Sequence, residues 1–353
     1  RYPHLIYATM DMFFDAIARQ IDPSKINTYA KDANNQWADQ DSTDAALLSQ
    51  ARPQGQAIPT AEKLSTIAQA VVGGGYPWTD VYQAYHRLLA YHEHTDAIDG
   101  VGPDQERMRQ YETELEENRE MVTESREFSG RALAGALDRL AGAVVRRTGR
   151  TIVVFNPLTR ERTDVVRVPD LKLGSDDQLV DVDTGKEVPW QTMPDGTPAF
   201  VATAVPSLGY RSVAVAEGRA AKTEPRMDAA TSVLENRFYR VSFDSATGVI
   251  TSLRDKELNV ELVDQAGPHR FNEYLYERFE TKDWSTPTKW YRVGSAQLKA
   301  SAGPVADVME VAGKATGVDD LKQTVMLYRD LKRIDFVLDL LKAPSGRTDR
   351  MGR

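Results

Sequence analysis

Thr151-Ile152-Val153-Val154-Phe155-Asn156-Pro157 is where the chain changes period. The run is β-branched and aromatic, and Asn-Pro stops it, which predicts a short strand. Upstream, Met108, Tyr111, Leu115, Val122, Leu133, Leu137, Leu140 and Val144 recur at helical spacing, with one break near Ser125 to Ser129. That pattern predicts a helix of roughly 40 residues. It opens at Gly102-Pro103-Asp104, with proline in the first turn and Asp104 and Glu106 at the positive end of the helix dipole. Downstream, short apolar runs alternate with turn residues. Val165 to Val168, Phe200 to Ala204, Tyr210 to Val215, Asn236 to Phe243 and Val249 to Leu253 read as strands, and Arg333 to Leu340 alternates as another. Asp183 to Lys186 and Asp244 to Gly248 read as turns. Many short strands at this interval predict an antiparallel β-sandwich.

Three regions follow. Residues 60–148 read as a three-helix bundle. Thr60 and Thr79 are N-cap positions for its first two helices, and Gly73-Gly74-Gly75 separates them. Residues 149–353 form the β-sandwich. Residues 1–59 carry one amphipathic stretch around Met12, Phe13, Ala16 and Ile17, then a polar segment from Ala30 to Pro59. A long structureless segment is unusual inside a compact domain, so this part reads as the tail of a domain whose body lies elsewhere. The fold class is α+β and multidomain.

Composition narrows the function. The 353 residues carry 44 basic and 52 acidic side chains, a formal charge of −8. A protein that neutralises many phosphates carries the opposite excess, so nucleic acid is not an expected partner. There is no cysteine, which removes disulfides, Cys-ligated metal and thiol nucleophiles. No apolar run reaches the ~18 residues of a membrane span, so no membrane partner is expected. The compartment is not fixed, with the cytoplasm slightly favoured.

The chemistry-bearing residues are few. Tyr91-His92-Glu93-His94-Thr95-Asp96 is the one concentration of metal-capable groups in a chain with five histidines. On a continuous helix, residues two apart point ~200° apart, so His92 and His94 cannot share a metal there. The segment supplies one imidazole to a site completed elsewhere, or its histidines are helix-end hydrogen-bonding groups. Asp32, Asp39 and Asp41 are loop carboxylates that a glycosidase could pair. Gly73-Gly74-Gly75 has no following Lys-Ser or Lys-Thr and reads as a helix C-cap. Tyr82, Tyr85 and Tyr91 read as core packing. Trp284 and Trp290, with Tyr274, Tyr276 and Tyr291, read as sandwich core and edge or as a sugar-stacking surface. No Gly-x-Ser-x-Gly elbow is present.

Taken in order, several segments look familiar: His92-Glu93-His94-Thr95, then Val154-Phe155-Asn156-Pro157, then Leu234-Glu235-Asn236-Arg237-Phe238-Tyr239-Arg240-Val241. Thr247-Gly248-Val249-Ile250-Thr251-Ser252-Leu253-Arg254-Asp255-Lys256 and Phe271-Asn272-Glu273-Tyr274-Leu275-Tyr276 follow. The chain resembles glycoside hydrolase family 38, the α-mannosidases, over nearly its whole length. The resemblance implies a (β/α)-barrel-like catalytic domain whose tail is residues 1–59, then the helical domain and the sandwich. It implies retaining cleavage of α-mannosides in mannose-containing glycans around a bound zinc. By position in the motif, His94 corresponds to the zinc ligand from the helical domain, with His92 as fallback. Tyr29, Asp32, Trp37 and Asp96 correspond to sugar contacts, Asp96 standing one place later than the family's usual Asp. The remaining zinc ligands, the nucleophile and the acid are expected outside these residues, so the chain reads as an inactive internal piece of the enzyme. The resemblance leaves room for a homo-oligomer of the full-length protein. A non-catalytic carbohydrate-binding or scaffold protein with the same helices and sandwich is the alternative.

Overall fold

The computed structural model describes residues 5–25, 45–92, 105–144, 149–174, 176–217, 231–278 and 289–343. The chain divides into two compact units, Arg1–Leu140 and Ala141–Arg353.

The first unit is helical: α1 (Met10–Gln20), α2 (Ala45–Ala51), α3 (Gln54–Val72), α4 (Trp78–Tyr91) and α5 (Gln105–Ala143), the last running past the unit's edge. No residue of α1 is buried. The polar stretch read as structureless is helical from Ala45 onward. Leu47, Ala51 and Ile58 are buried there, in one cluster with Ala84, Leu88 and Tyr91 of α4 and Val122 of α5. Leu47, Ala51, Gln54, Ile58 and Ala61 recur at every third or fourth place, and the polar residues between them hide this face.

Both predicted caps are displaced. The first long helix starts at Gln54 behind Pro53 and carries Pro59 inside it. Thr60 is therefore intrahelical, and its hydroxyl donates to Gln56 O at 2.8 Å. α4 begins at Trp78 behind Pro77, which accepts the Val81 N–H. Thr79 lies within its first turn. Gly73-Gly74-Gly75 is the expected helix end. Gly73 and Gly74 take φ of 84° and 91°, and the Arg139 guanidinium of α5 donates to Gly73 O and Gly75 O.

The break near Ser125 to Ser129 is no break. Ser125 Oγ donates to Ala84 O at 2.9 Å, and Ser129 Oγ donates to Gln54 Oε1 at 2.8 Å, both buried. Each hydroxyl faces a neighbouring helix, so a core position reads as polar while its hydrogen bond is satisfied.

Beyond α5, the regular elements among the described residues of the second unit are antiparallel strands. Its elements are β1 (Arg150–Phe155), β2 (Arg162–Arg167), β3 (Asp177–Asp181), β4 (Glu187–Val188), β5 (Trp190–Thr192), β6 (Pro198–Val205), β7 (Tyr210–Glu217), β8 (Val233–Glu235) and β9 (Tyr239–Phe243). There follow β10 (Ile250–Asp255), β11 (Val260–Glu261), β12 (Leu275–Arg278), β13 (Lys289–Arg292), β14 (Ser295–Ser301), β15 (Ala306–Lys314), β16 (Val318–Tyr328) and β17 (Ile334–Lys342). They form sheets β1-β7-β3-β4, β2-β6-β5, β14-β15-β16-β17 and β11-β10-β9-β8, with β12-β13 as a separate hairpin.

A single two-sheet sandwich was the expectation, but four sheets stack in the order just given. Phe200 and Ala202 of β6 pack with Leu179 and Val213 of the first sheet. Ala199 and Val201, on the other face of β6, pack with Val308, Met326 and Tyr328 of the third. Val325 and Leu327, on the opposite face of β16, pack with Val241, Ile250 and Leu253 of the fourth. Strands covered on both faces read as continuous apolar runs rather than alternation, as Pro198-Ala199-Phe200-Val201 and Val325-Met326-Leu327-Tyr328 do. The predicted strand Asn236 to Phe243 is a turn followed by β9. Asn236 Oδ1 accepts from the Phe238 and Tyr239 N–H groups, and its Nδ2 donates to Tyr328 O at 2.7 Å.

Among the described residues, no helix is long and apolar enough to cross a membrane.

Candidate functional site

The metal-capable segment leaves the end of α4. Val81, Ala84, Leu88 and Tyr91 are the buried face of that helix, and Tyr91 is 3% exposed. His92 is the C-cap, and its N–H donates to Leu88 O at 3.0 Å. Its ring meets Tyr91 edge-on at 5.0 Å. α4 ends at its C-cap His92, so the periodicity that kept His92 and His94 apart holds only up to that residue. His94 and Asp96 lie outside the described residues, as do Tyr29, Asp32, Trp37, Asp39, Asp41 and Trp284. The spacing His94-Thr95-Asp96 is itself His-x-Asp. The sequence therefore does not require all further ligands to lie outside the chain, since Asp96 stands at ligand spacing from His94.

The described residues hold no cluster of three or more His, Asp or Glu side chains able to bind a metal. Several of their carboxylates are committed to turns and ion pairs. Asp244 is held below its usual pKa by the Thr247 hydroxyl, then by the Thr247 N–H. Asp255 is lowered first by the Leu258 N–H and further by Lys332. Burial pushes the Asp164 carboxyl up, but the Val165 N–H and the guanidinium groups of Arg162 and Arg333 outweigh it, and the net direction is down. A retaining glycosidase needs one carboxyl held protonated near neutral pH, the opposite displacement.

The aromatic residues divide. Tyr85 donates to Glu62 Oε2 at 2.9 Å, and burial with that carboxylate pushes its hydroxyl up to about 12. Tyr85 and Tyr91 pack in the helical core, as expected. Tyr82 does not: it is 63% exposed and stacks on His86. In the β unit Tyr274 donates to Thr316 O at 2.9 Å and Tyr276 meets Tyr291. Trp290 is 44% exposed and lies against His269 at 5.2 Å.

In the β unit, the segments that carry the resemblance hold turns and buried hydrogen bonds. Asn156 is buried, and its Nδ2 donates to the carbonyls of Arg160, Val205 and Pro206 while Oδ1 accepts from the Leu158 N–H. Gly248 takes φ of 75°, and a Cβ there would stand 2.2 Å from Val311 Cγ1. Asp255 Oδ1 accepts from the Glu257 and Leu258 N–H groups, and Lys256 Nζ donates to Glu235 Oε1 and Asn236 O. Asn272, at φ of 57°, exchanges hydrogen bonds with Gln323.

Comparison with known proteins agrees with this motif order. Residues 234–344 match the family model for the glycosyl hydrolases family 38 C-terminal domain. No curated protein sequence matches the chain. Among solved structures, the crystal structure of an alpha-mannosidase from Enterococcus faecalis V583 is similar, with a TM-score of 0.60 and 17% identity. The match covers 95% of this chain and 46% of that one, so the chain spans less than half the mannosidase's length. At that identity the likeness is one of fold. The tight turns at Asn236, Gly248 and Asp255 all fall inside the segment that matches the glycosyl hydrolases family 38 C-terminal domain.

Proposed function

We propose that this chain is part of a zinc-dependent retaining α-mannosidase acting on mannose-containing glycans, and that the chain by itself does not turn substrate over. The match of residues 234–344 to the family 38 C-terminal domain carries the reading. The fold likeness to an alpha-mannosidase supports it. His94 is the proposed zinc ligand, two residues after the C-cap of α4 in sequence. Tyr29, Asp32, Trp37 and Asp96 are the proposed sugar contacts. When bound, zinc would act as a Lewis acid on the sugar or its attacking group. A catalytic zinc takes about three protein ligands, and the described residues do not supply such a set. Zinc therefore enters no step assigned to them. Their role is to fix the end of α4 through its buried face and to build the β scaffold.

Hydrolysis of an aryl α-mannoside with added zinc tests the reading in two forms. The full-length parent is expected to turn over and to lose more than about a hundredfold on His94→Ala. The 353-residue chain is expected to show none. Parent activity unaffected by chelator and by His94→Ala would refute the zinc role. Turnover by the chain alone, abolished by His94→Ala, would refute its proposed inactivity.

A further inference from the structure

An open cleft of about 840 Å³ lies in the β unit, between the strand pair β9-β10, the loop that follows β11 and the end of β13. Its size falls within the roughly 300–1,000 Å³ of small-ligand sites. Its charged lining is Asp244 and Glu273 against Arg270 and Arg292, formally neutral.

These charges are tied down. Glu273 pairs with Arg292 and also accepts from the Arg270 N–H at 2.9 Å. Arg292 Nη2 donates to Pro268 O, and Arg270 Nη1 to Gln265 O. Asp244 accepts from the N–H groups of Ala246 and Thr247 and from the Thr247 hydroxyl. A free anion would find Arg292 already paired with Glu273 and would meet the Asp244 and Glu273 carboxylates in the same cleft, whereas a hydroxylated neutral ligand meets fixed donors and acceptors of both signs. The Thr251 hydroxyl and the Gln265 amide add groups that both donate and accept.

An aromatic side chain outside this lining stands on the same strand as Arg292. Trp290 and Arg292 are two residues apart in β13, in regular register with Glu277 and Leu275, so they share a face of the strand. His269, next to Arg270, packs against Trp290 and supports its half-exposed indole. A flat apolar ring beside paired polar groups is complementary to the C–H face and hydroxyl edge of a pyranose.

We propose that this cleft binds a neutral oligosaccharide, with Trp290 as the stacking platform and Gln265 and the Arg292–Glu273 pair addressing hydroxyls. The proposal goes beyond the hydrolase reading and does not depend on it.

Calorimetric titration of the 353-residue chain with mannotriose, maltotriose and, as the anionic control, glucuronate tests it. At least one neutral trisaccharide is expected to bind in the millimolar range, on the order of 1 mM. Trp290→Ala is expected to weaken that binding about fivefold, and Gln265→Ala about threefold. Both side chains are at the surface, and far-UV circular dichroism of each variant checks the fold. The Gln265 variant carries the test if the tryptophan variant misfolds. No binding of either trisaccharide, binding of glucuronate alone, or trisaccharide binding unchanged in both variants would overturn the proposal. The aryl mannoside assay reads the hydrolase proposal separately.

Discussion

β16 and β17 are neighbours in one sheet, paired in register from Leu321↔Leu340 to Leu327↔Ile334, and similar in apolar content. Their environments differ. Val325, Met326, Leu327 and Tyr328 are each at most 3% exposed, because sheets lie against both faces of β16. Phe336, Leu338, Leu340 and Leu341 of β17 are 40–62% exposed, and β17 is the edge of the sheet among the described residues. Hydrophobic composition therefore does not measure stabilisation here. The area removed from water does, at roughly 25 cal/mol per Å².

The contrast gives its sharpest test in paired truncations. Leu327→Ala is expected to cost about 2–5 kcal/mol, as a fully buried leucine does, while Leu340→Ala stays below about 1 kcal/mol. Urea unfolding of both variants checks this, and equal losses would break the comparison. Gly248→Ala attacks the same core from its turn. The positive φ and the approach of Val311 together predict a loss of about 2–4 kcal/mol, read as a lower denaturation midpoint. Asn236→Ala leaves two turn N–H groups and the Tyr328 carbonyl without their partner and should cost about 2–3 kcal/mol by the same measurement. Ser125→Ala in the helical unit removes one buried hydrogen bond and should cost about 1 kcal/mol.

The smallest effect is acid sensitivity. Asp244 has a folded pKa below its unfolded value, so its contribution is present above the unfolded pKa near 3.8 and is lost as pH falls through the folded one. Asp244→Asn should therefore flatten the acid limb of a stability profile below about pH 4 and lower the plateau slightly. An unchanged acid limb would show that the turn is not titrating.

Much of the fold was legible because its signals are local. The 39 residues of α5, the switch of period at Thr151, the Gly73–Gly75 helix end and the Asp244 turn each follow from residues a few places apart. The misreadings were equally specific. Thr60 and Thr79 look like caps, but Pro53 and Pro77 precede them and set the helix starts. Ser125 and Ser129 look like a polar break, but their acceptors are 41 and 75 residues away in sequence. Of the candidate site, only the approach was open to structural description: the chain leaves α4 at His92, with His94 and Asp96 beyond it. The cleft beside Trp290 had a partial signal in the Trp and Tyr residues of 274–291, but its polar lining comes from segments as distant as Ser242 and Arg292.

By itself the sequence determined the order of elements, helices before strands, and the turn residues that end them, since period and turn chemistry act over a few residues. It also carries the similarity of residues 234–344 to the family 38 C-terminal domain, a segment that holds several of those turns. The tertiary structure alone decided that four sheets stack, that β16 is covered twice and β17 left at an edge, and that two serines belong to a helical core. The reason is that burial is a property of what arrives from elsewhere in the chain, and an apolar or hydroxyl side chain carries no record of which distant surface will cover it.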